Sequence, residues 1–327
     1  MKIGIIGCGS ISRGHVSRWL KDMSVQIVGC ADTKPAATQA VVDMIEKARG
    51  MTCTQFADAT EMIRATKPDA VGIFTPHTLH FAQAMTALKA GCHVLIEKPI
   101  VTTTADGNAL VAEAQRRKLV LGCSYQMRGI PAHRRVKEII SAGELGEIRL
   151  VTILLTQDWI TRVIASHREW RFDPKLSGGG ELMDSGSHMV DLMLWLTGLR
   201  PASAFAYLDN KDLAVDVLSS CSLKFQNGAL GTIAISGDAI GWVSCLSVCG
   251  TQGTVLIRDD GVFLKRKDGE PYAAVTAEGA PLDPNANFTA AVTKGEPLLC
   301  PAEDAVRVIT LTEALYRSAT ESRPITL

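Results

Sequence analysis

Three side chains in this sequence have the types that move protons at a hydroxyl group. Lys98 stands between Glu97 and Pro99, and Asp184 and His188 are spaced i, i+4 in the run Gly178-Gly179-Gly180-Glu181-Leu182-Met183-Asp184-Ser185-Gly186-Ser187-His188-Met189-Val190-Asp191. A lysine ammonium can hydrogen-bond a substrate oxygen, stabilise alkoxide character and relay a proton. A histidine titrates near neutrality and can accept a hydroxyl proton, while a carboxylate beside it orients and tunes the ring. Together they supply what the oxidation of an alcohol to a carbonyl requires once a hydride acceptor is at hand. A zinc site built from Asp184, His188 and Glu181 lacks the usual ligand spacing, and hydride transfer needs no metal, so none is expected.

The hydride acceptor is written into the first 32 residues. An apolar strand, Lys2 to Ile6, runs into Gly7-Cys8-Gly9-Ser10-Ile11-Ser12, which opens an amphipathic stretch to about Lys21. Gly7 suits the tight turn, Gly9 lets backbone approach a pyrophosphate, and the first amides of the helix complement its charge, with Ser10 and Ile11 in that first turn. Ser12 replaces the third glycine of the dinucleotide fingerprint and is small enough for helix–strand packing. A second strand, Gln26 to Ala31, delivers Asp32 where an acid accepts hydrogen bonds from the adenosine ribose. That carboxylate repels a 2′-phosphate, so NAD is expected rather than NADP, with Lys34 softening the preference.

These groups need a scaffold. From residue 1 to 124, strands alternate with helices: Ala70 to Phe74, Leu79 to Ala90, His93 to Ile96, Ala105 to Lys118 and Leu119 to Cys123 follow the opening unit. The alternation predicts a doubly wound parallel sheet, an α/β domain whose strands end at Gly7, Asp32, Thr75, Pro76, Glu97 and Lys98, where such sheets bind ligands. Pro99 admits a cis peptide, which for X-Pro costs only about 0.5–1 kcal/mol. From 125 to 327 the pattern changes to a helix near Pro131 to Ala142, a long strand near Ile148 to Gln157, an irregular loop and a helix from about Glu181. Strands then follow at Ala202 to Tyr207, Val215 to Phe225, Ala229 to Ser236, Trp242 to Val248, Thr254 to Arg258 and Val262 to Lys265, with a closing helix at about 302–320. This predicts an α+β domain with a large, mostly antiparallel open sheet, a kind that often pairs face to face, so a homo-oligomer, dimer or tetramer, is expected.

A chain of 327 residues with 46% hydrophobic content can bury two cores. Lys plus Arg and Asp plus Glu both number 34, so the net charge of zero gives no reason to expect nucleic acid or an anionic membrane, and a small neutral molecule is the expected partner. No segment reads as a membrane span, no charged leader precedes the first strand, and nine cysteines without a CxxC pair read as reduced thiols, so a cytoplasmic location is expected.

Other side chains carry two readings each. His77 and His80, after Thr75-Pro76, cap a helix or touch the cofactor edge. His133, His167 and Arg168 are substrate contacts or surface groups, and Arg128 is expected to contact substrate. Asp158, Trp159, Trp170 and Arg171 form either an aromatic floor with polar neighbours, suited to a sugar ring, or a loop packed on the core.

Over essentially its whole length the sequence resembles the glucose-fructose oxidoreductase, inositol dehydrogenase and MocA family. The motifs agree in order: Gly7 to Ser12 with Asp32, Thr75-Pro76 with His80, Ala90-Gly91-Cys92-His93-Val94-Leu95-Ile96-Glu97-Lys98-Pro99, Tyr125-Gln126-Met127-Arg128, the Gly178 to Asp191 run, Asn287-Phe288 and Glu313 to Ser318. Cys92 and Gln126 stand where the family commonly has lysine and asparagine. The resemblance implies Lys98, Asp184 and His188 as the catalytic set, and a carbohydrate or cyclic polyol as substrate. Some members use the same NAD site to cleave glycosidic bonds by transient oxidation and elimination, and others bind nucleotide as regulatory partners. The intact set speaks for an enzyme, and the sequence does not separate dehydrogenase from redox glycosidase.

Overall fold

In the computed structural model, which describes residues 1–267 and 271–327, the chain forms two units: Met1–Gln126 with Leu282–Val306, and Met127–Pro281 with Arg307–Leu327. The first unit runs β1 (Lys2–Ile6), α1 (Ser10–Trp19), β2 (Gln26–Ala31), α2 (Pro35–Arg49), β3 (Thr54–Phe56), α3 (Ala59–Thr66), β4 (Ala70–Ile73), α4 (His80–Lys89), β5 (His93–Ile96), α5 (Thr104–Arg117) and β6 (Leu121–Cys123). Its six strands lie in the order β3-β2-β1-β4-β5-β6, and every pairing is parallel. Helices on both faces leave the strands almost no polar position, which is why β1, β4 and β5 read as near-continuous apolar runs. Local chemistry starts the helices: Pro35 opens α2, the Asp58 carboxylate accepts from Glu61 N at 2.8 Å at the start of α3, and the Thr103 hydroxyl accepts from Asp106 N at 3.2 Å before α5.

Register sets the functional edge. Ile6 lies opposite both Ala31 and Ile73, and Ile73 opposite Ile96. The strands therefore end level, and Gly7, Asp32, Phe74 and Glu97 follow them along one edge.

The second unit contains α6 (Pro131–Ser141), β7 (Ile148–Asp158), α7 (Trp159–Ala165), α8 (Pro174–Ser177), α9 (Gly186–Thr197), β8 (Pro201–Asp209), β9 (Leu218–Phe225), β10 (Leu230–Ser236), β11 (Asp238–Gly250), β12 (Gly253–Arg258), β13 (Gly261–Arg266) and β14 (Ala273–Ala274). α10 (Pro284–Lys294) returns to the first unit, the division falls within α11 (Ala302–Glu321), and β15 (Ile325–Thr326) ends the chain. The nine-stranded sheet has the order β14-β13-β12-β11-β7-β10-β9-β8-β15, antiparallel except for the β7–β10 pair. Strict alternation along β7 turns Val151, Ile153 and Leu155 inward and Leu150 and Leu154 outward. α9 packs on the inner face and is apolar nearly all round, as a helix covered on several sides must be.

Three expectations change. The boundary drawn after residue 124 overlooks that 282–306 packs with the first unit, because α10 lies against α1 and β5. The irregular loop after β7 contains α7, capped by Asp158, whose Oδ1 accepts from Thr161 N at 3.2 Å. The helix expected from Glu181 begins at Gly186, and 181–185 form turns. Three successive glycines before Glu181 and one at 186 make this stretch a poor helix start.

Candidate active site

In the first unit the glycine turn is held by backbone geometry. Gly7 has φ +83°, and a Cβ there would stand 2.8 Å from Phe74 and Thr75, so only glycine fits. Its N–H donates to Ala31 O at 2.9 Å, while Cys8 N and Lys34 N donate to Asp32 Oδ2 and Oδ1 at 2.7 and 2.9 Å. The acid is thereby fixed at the head of the turn. Gly9 is the N-cap of α1 and brings no side chain to its first amides; a Cβ there would meet nothing within 4 Å, and Ile11 is exposed beside it. An open glycine, an uncapped helix end and a fixed acid fit a dinucleotide. Ser12 is fully buried and bonds Gly9 O at 2.7 Å, consistent with its packing role.

Lys98 follows β5 and is half-buried, and its peptide to Pro99 is cis. Its amide donates to Glu97 Oε2 at 3.1 Å, and Glu97 Oε1 lies 2.9 Å from Nε2 of buried His15 on α1. Thr75 and Pro76 sit at the end of β4, with Thr75 Oγ1 2.5 Å from Gln83 Oε1. His80, read as a helix cap or a contact at the cofactor edge, is the first residue of α4. The ring is completely buried, with Nδ1 2.8 Å from Pro99 O and Nε2 2.9 Å from Thr75 O. It ties two strand-end loops together, and burial presses its pKa below the ordinary value. His77 is also buried.

In the second unit the glycine-rich run is anchored by a residue that sequence reading missed. Asp216 takes hydrogen bonds from Gly180 N, Leu182 N and the Tyr316 hydroxyl at 2.7, 2.9 and 2.7 Å, and its carbonyl accepts from Glu181 N at 2.9 Å. Any Cβ at Gly180 would run into that carbonyl. Burial first, and the Asp216 charge second, push the Tyr316 phenol well above its usual range. The one sequence signal was an acid inside the apolar run Val215-Asp216-Val217.

Asp184 lies in the turn that Asp216 fixes, its N–H bonding Gly180 O at 2.9 Å. Its Oδ2 accepts from Trp159 Nε1 at 2.9 Å and Arg171 Nε at 2.7 Å. His188 follows in the first turn of α9, half-buried. Because the helix starts at Gly186, Asp184 and His188 are not an i, i+4 pair on one helix face. Asp191, further along α9, is fully buried and paired with Arg128, whose Nε lies 3.0 Å from Oδ2 and Nη2 2.6 Å from Oδ1.

The substrate contacts expected from sequence sort accordingly. Arg128 is a buried core ion pair stacked over Trp195 at 5.6 Å. Trp159 is 3% exposed, packed with Val163 and Val215, so it supports Asp184 from below and presents no open floor. Arg171 is half-buried and holds Asp184. His167 is exposed after α7 with φ +52°, and His133 is buried against Met127 O at 2.9 Å. Glu181 is fully buried and receives a short hydrogen bond from Gln157, which in turn accepts from Arg162 Nη1 at 3.0 Å. Arg168 bonds the Ser166 hydroxyl at 2.6 Å; burial, then the nearby charges of Arg171 and Arg162, push its guanidinium below the usual range, against the pull of Asp184. Among the described residues no group of three or more His, Cys, Asp or Glu could hold a metal, and no helix is long and apolar enough to cross a membrane.

A parallel sheet ending in a glycine turn, with an acid fixed at its head, is the frame of a dinucleotide-binding domain. Residues 1–125 match the family described as oxidoreductase family, NAD-binding Rossmann fold, and 133–256 match the GFO/IDH/MocA C-terminal domain. The chain belongs to the Gfo/Idh/MocA family of oxidoreductases. Among its relatives, rhizopine catabolism protein MocA of Rhizobium meliloti is 28% identical, with 96% of this chain and 93% of that protein aligned. The "1-carboxy-3-chloro-3,4-dihydroxycyclo hexa-1,5-diene dehydrogenase" of Comamonas testosteroni is 29% identical over 75% of this chain, which spans 62% of that relative's length. The crystal structure of the WlbA dehydrogenase from Bordetella pertussis in complex with NADH and UDP-GlcNAcA superposes with a TM-score of 0.84 at 26% identity, covering 100% of this chain and 98% of that one.

Proposed function

We propose that this protein oxidises a secondary hydroxyl of a pyranose sugar or cyclic polyol and passes the hydride to NAD. The observation that carries the reading is the Asp184 carboxylate, fixed by Trp159 and Arg171 in the turn that leads into His188. NAD supplies the hydride acceptor when bound. The α1 amides beside Gly9, Ser10 and Ile11 hold its diphosphate, and Asp32 accepts from its ribose, which favours NAD over NADP. Lys98, with its backbone held by Glu97, donates a hydrogen bond to the substrate oxygen as alkoxide character develops. His188 accepts the hydroxyl proton, and Asp184 orients this exchange. The name of the Comamonas testosteroni relative as a dehydrogenase supports the reaction class, as does the WlbA dehydrogenase with its NADH and UDP-GlcNAcA.

A homo-oligomer fits the outer face of the nine-stranded sheet. Leu150, Leu154, Tyr207, Leu230 and Val243 are exposed there, and Lys224 is the one charge on the outward positions of β9 and β10. A cytoplasmic setting fits nine free thiols.

The test is a time course of purified protein with NAD and a panel of inositols, sugars and nitrophenyl glycosides, following NADH and nitrophenol together. NADH accumulation with a sugar or inositol is the expected result. NAD-dependent nitrophenol release without NADH would replace the reading with a redox glycosidase.

A further inference from the structure

Net charge over the whole chain points to a neutral ligand, and the surroundings of Asp184 point elsewhere. Within the ten residues 162–171 stand Arg162, Arg168 and Arg171; Arg171 pairs with Asp184 and its N–H donates to Arg168 O at 3.0 Å, and the Arg168 guanidinium feels the charges of Arg171, Asp184 and Arg162. Asp184 is committed to Arg171 and Trp159. Of the neighbouring acids, Asp158 caps α7, Asp173 caps α8 through Lys175 N at 2.9 Å and Glu181 is buried behind Gln157, while Glu169 beside Arg168 is exposed and forms no ion pair among the described residues. Among the described residues neither Arg162 nor Arg168 forms an ion pair; their partners are the neutral Gln157 amide and Ser166 hydroxyl. Arg162 is held over Trp242 at 5.4 Å, and Nη1 of Arg171 is buried with no partner among the described residues.

Three guanidinium groups repel one another, and only one of them is paired with a carboxylate, so the cluster is short of negative charge. Guanidinium forks match carboxylate and phosphate oxygens in bidentate geometry. We infer that Arg168, with Arg162, recognises an anionic oxygen group on the substrate, so that the polyol oxidised beside Asp184 and His188 carries a carboxylate or a phosphate. This rests on the proposed dehydrogenase reading and narrows its substrate class.

The experiment compares an aldohexose, its hexuronate and its 6-phosphate with the NAD-loaded protein, by turnover and, separately, by thermal protection, in wild type and Arg168→Gln. The wild type is expected to favour one anionic sugar over the neutral one in kcat/KM by about 10-fold or more, as a charged hydrogen-bonding pair provides. Arg168→Gln should lower that ratio through KM. Uronate and phosphate arms identify which oxyanion is read. Equal kcat/KM for neutral and anionic sugars, or an unchanged ratio in the variant, overturns the inference and leaves the dehydrogenase standing. Thermal protection by the anionic sugar that Arg168→Gln abolishes, without turnover of any of the three, supports the anion site and removes the dehydrogenase reading.

Discussion

Two acid–guanidinium pairs lie seven positions apart in one stretch of chain, and they do different work. Asp191 and Arg128 are fully buried, share three hydrogen bonds and are sealed over Trp195. Asp184 and Arg171 meet through one guanidinium nitrogen, with 9% and 13% of their side chains exposed, and the same carboxylate oxygen also serves an indole N–H. The first pair is saturated and internal; breaking it leaves a buried charge unpaired. The second holds the carboxylate that the proposed reaction uses. On an ideal helix a spacing of seven would put both acids on one face. The start of α9 at Gly186 separates them: Asp184 lies in the turn before the helix, and Asp191 lies on the helix, buried in the core.

Removing either carboxylate sharpens this contrast. Asp191→Asn should destabilise the fold by about 3–5 kcal/mol, as expected for a broken buried pair, whereas Asp184→Asn should lose about 1–3 kcal/mol. Denaturant unfolding of the two variants checks the difference, and equal losses would erase the distinction. Asp184→Asn should instead show its effect in turnover, lowered about 10–100-fold with the fold retained. In the first unit, Asp32→Ala should narrow the preference for NAD over NADP by roughly 10-fold, the size of a charged hydrogen bond; equal ratios before and after would mean that Asp32 does not touch the ribose.

The smallest effect is on pH dependence of stability. Burial lowers the pKa of His80, His93 and His133 below the ordinary 6.5. The unfolded chain therefore takes up protons at a higher pH than the folded one, so stability is complete above about pH 6.5 and declines as the pH falls below it. An unfolding midpoint that stays flat on acidification would contradict this, and His80→Gln should flatten part of the slope.

The first unit was legible because its cues are local. Apolar runs, Gly7, Gly9 and Asp32 need only strand alternation and a turn to be placed, and β1, β2 and β5 lie at the expected residues. The second unit depends on contacts distant in sequence. Asp216 reaches back 36 residues to Gly180, and Tyr316 reaches back 100 to Asp216. No spacing rule within the Gly178–Asp191 run could reveal those anchors, or show that Arg128 and Trp159 face inward. Lys98, Asp184 and His188 stood out in the sequence by type; which neighbours hold them did not.

The most direct test is steady-state NADH formation by His188→Ala and Lys98→Ala beside wild type, with NAD affinity measured on the same preparations. Turnover should fall about 100-fold or more in each while NAD binding is largely retained, because general acid–base groups contribute at least that much to such steps. Turnover unchanged in both variants would contradict the assignment of these two residues to the reaction.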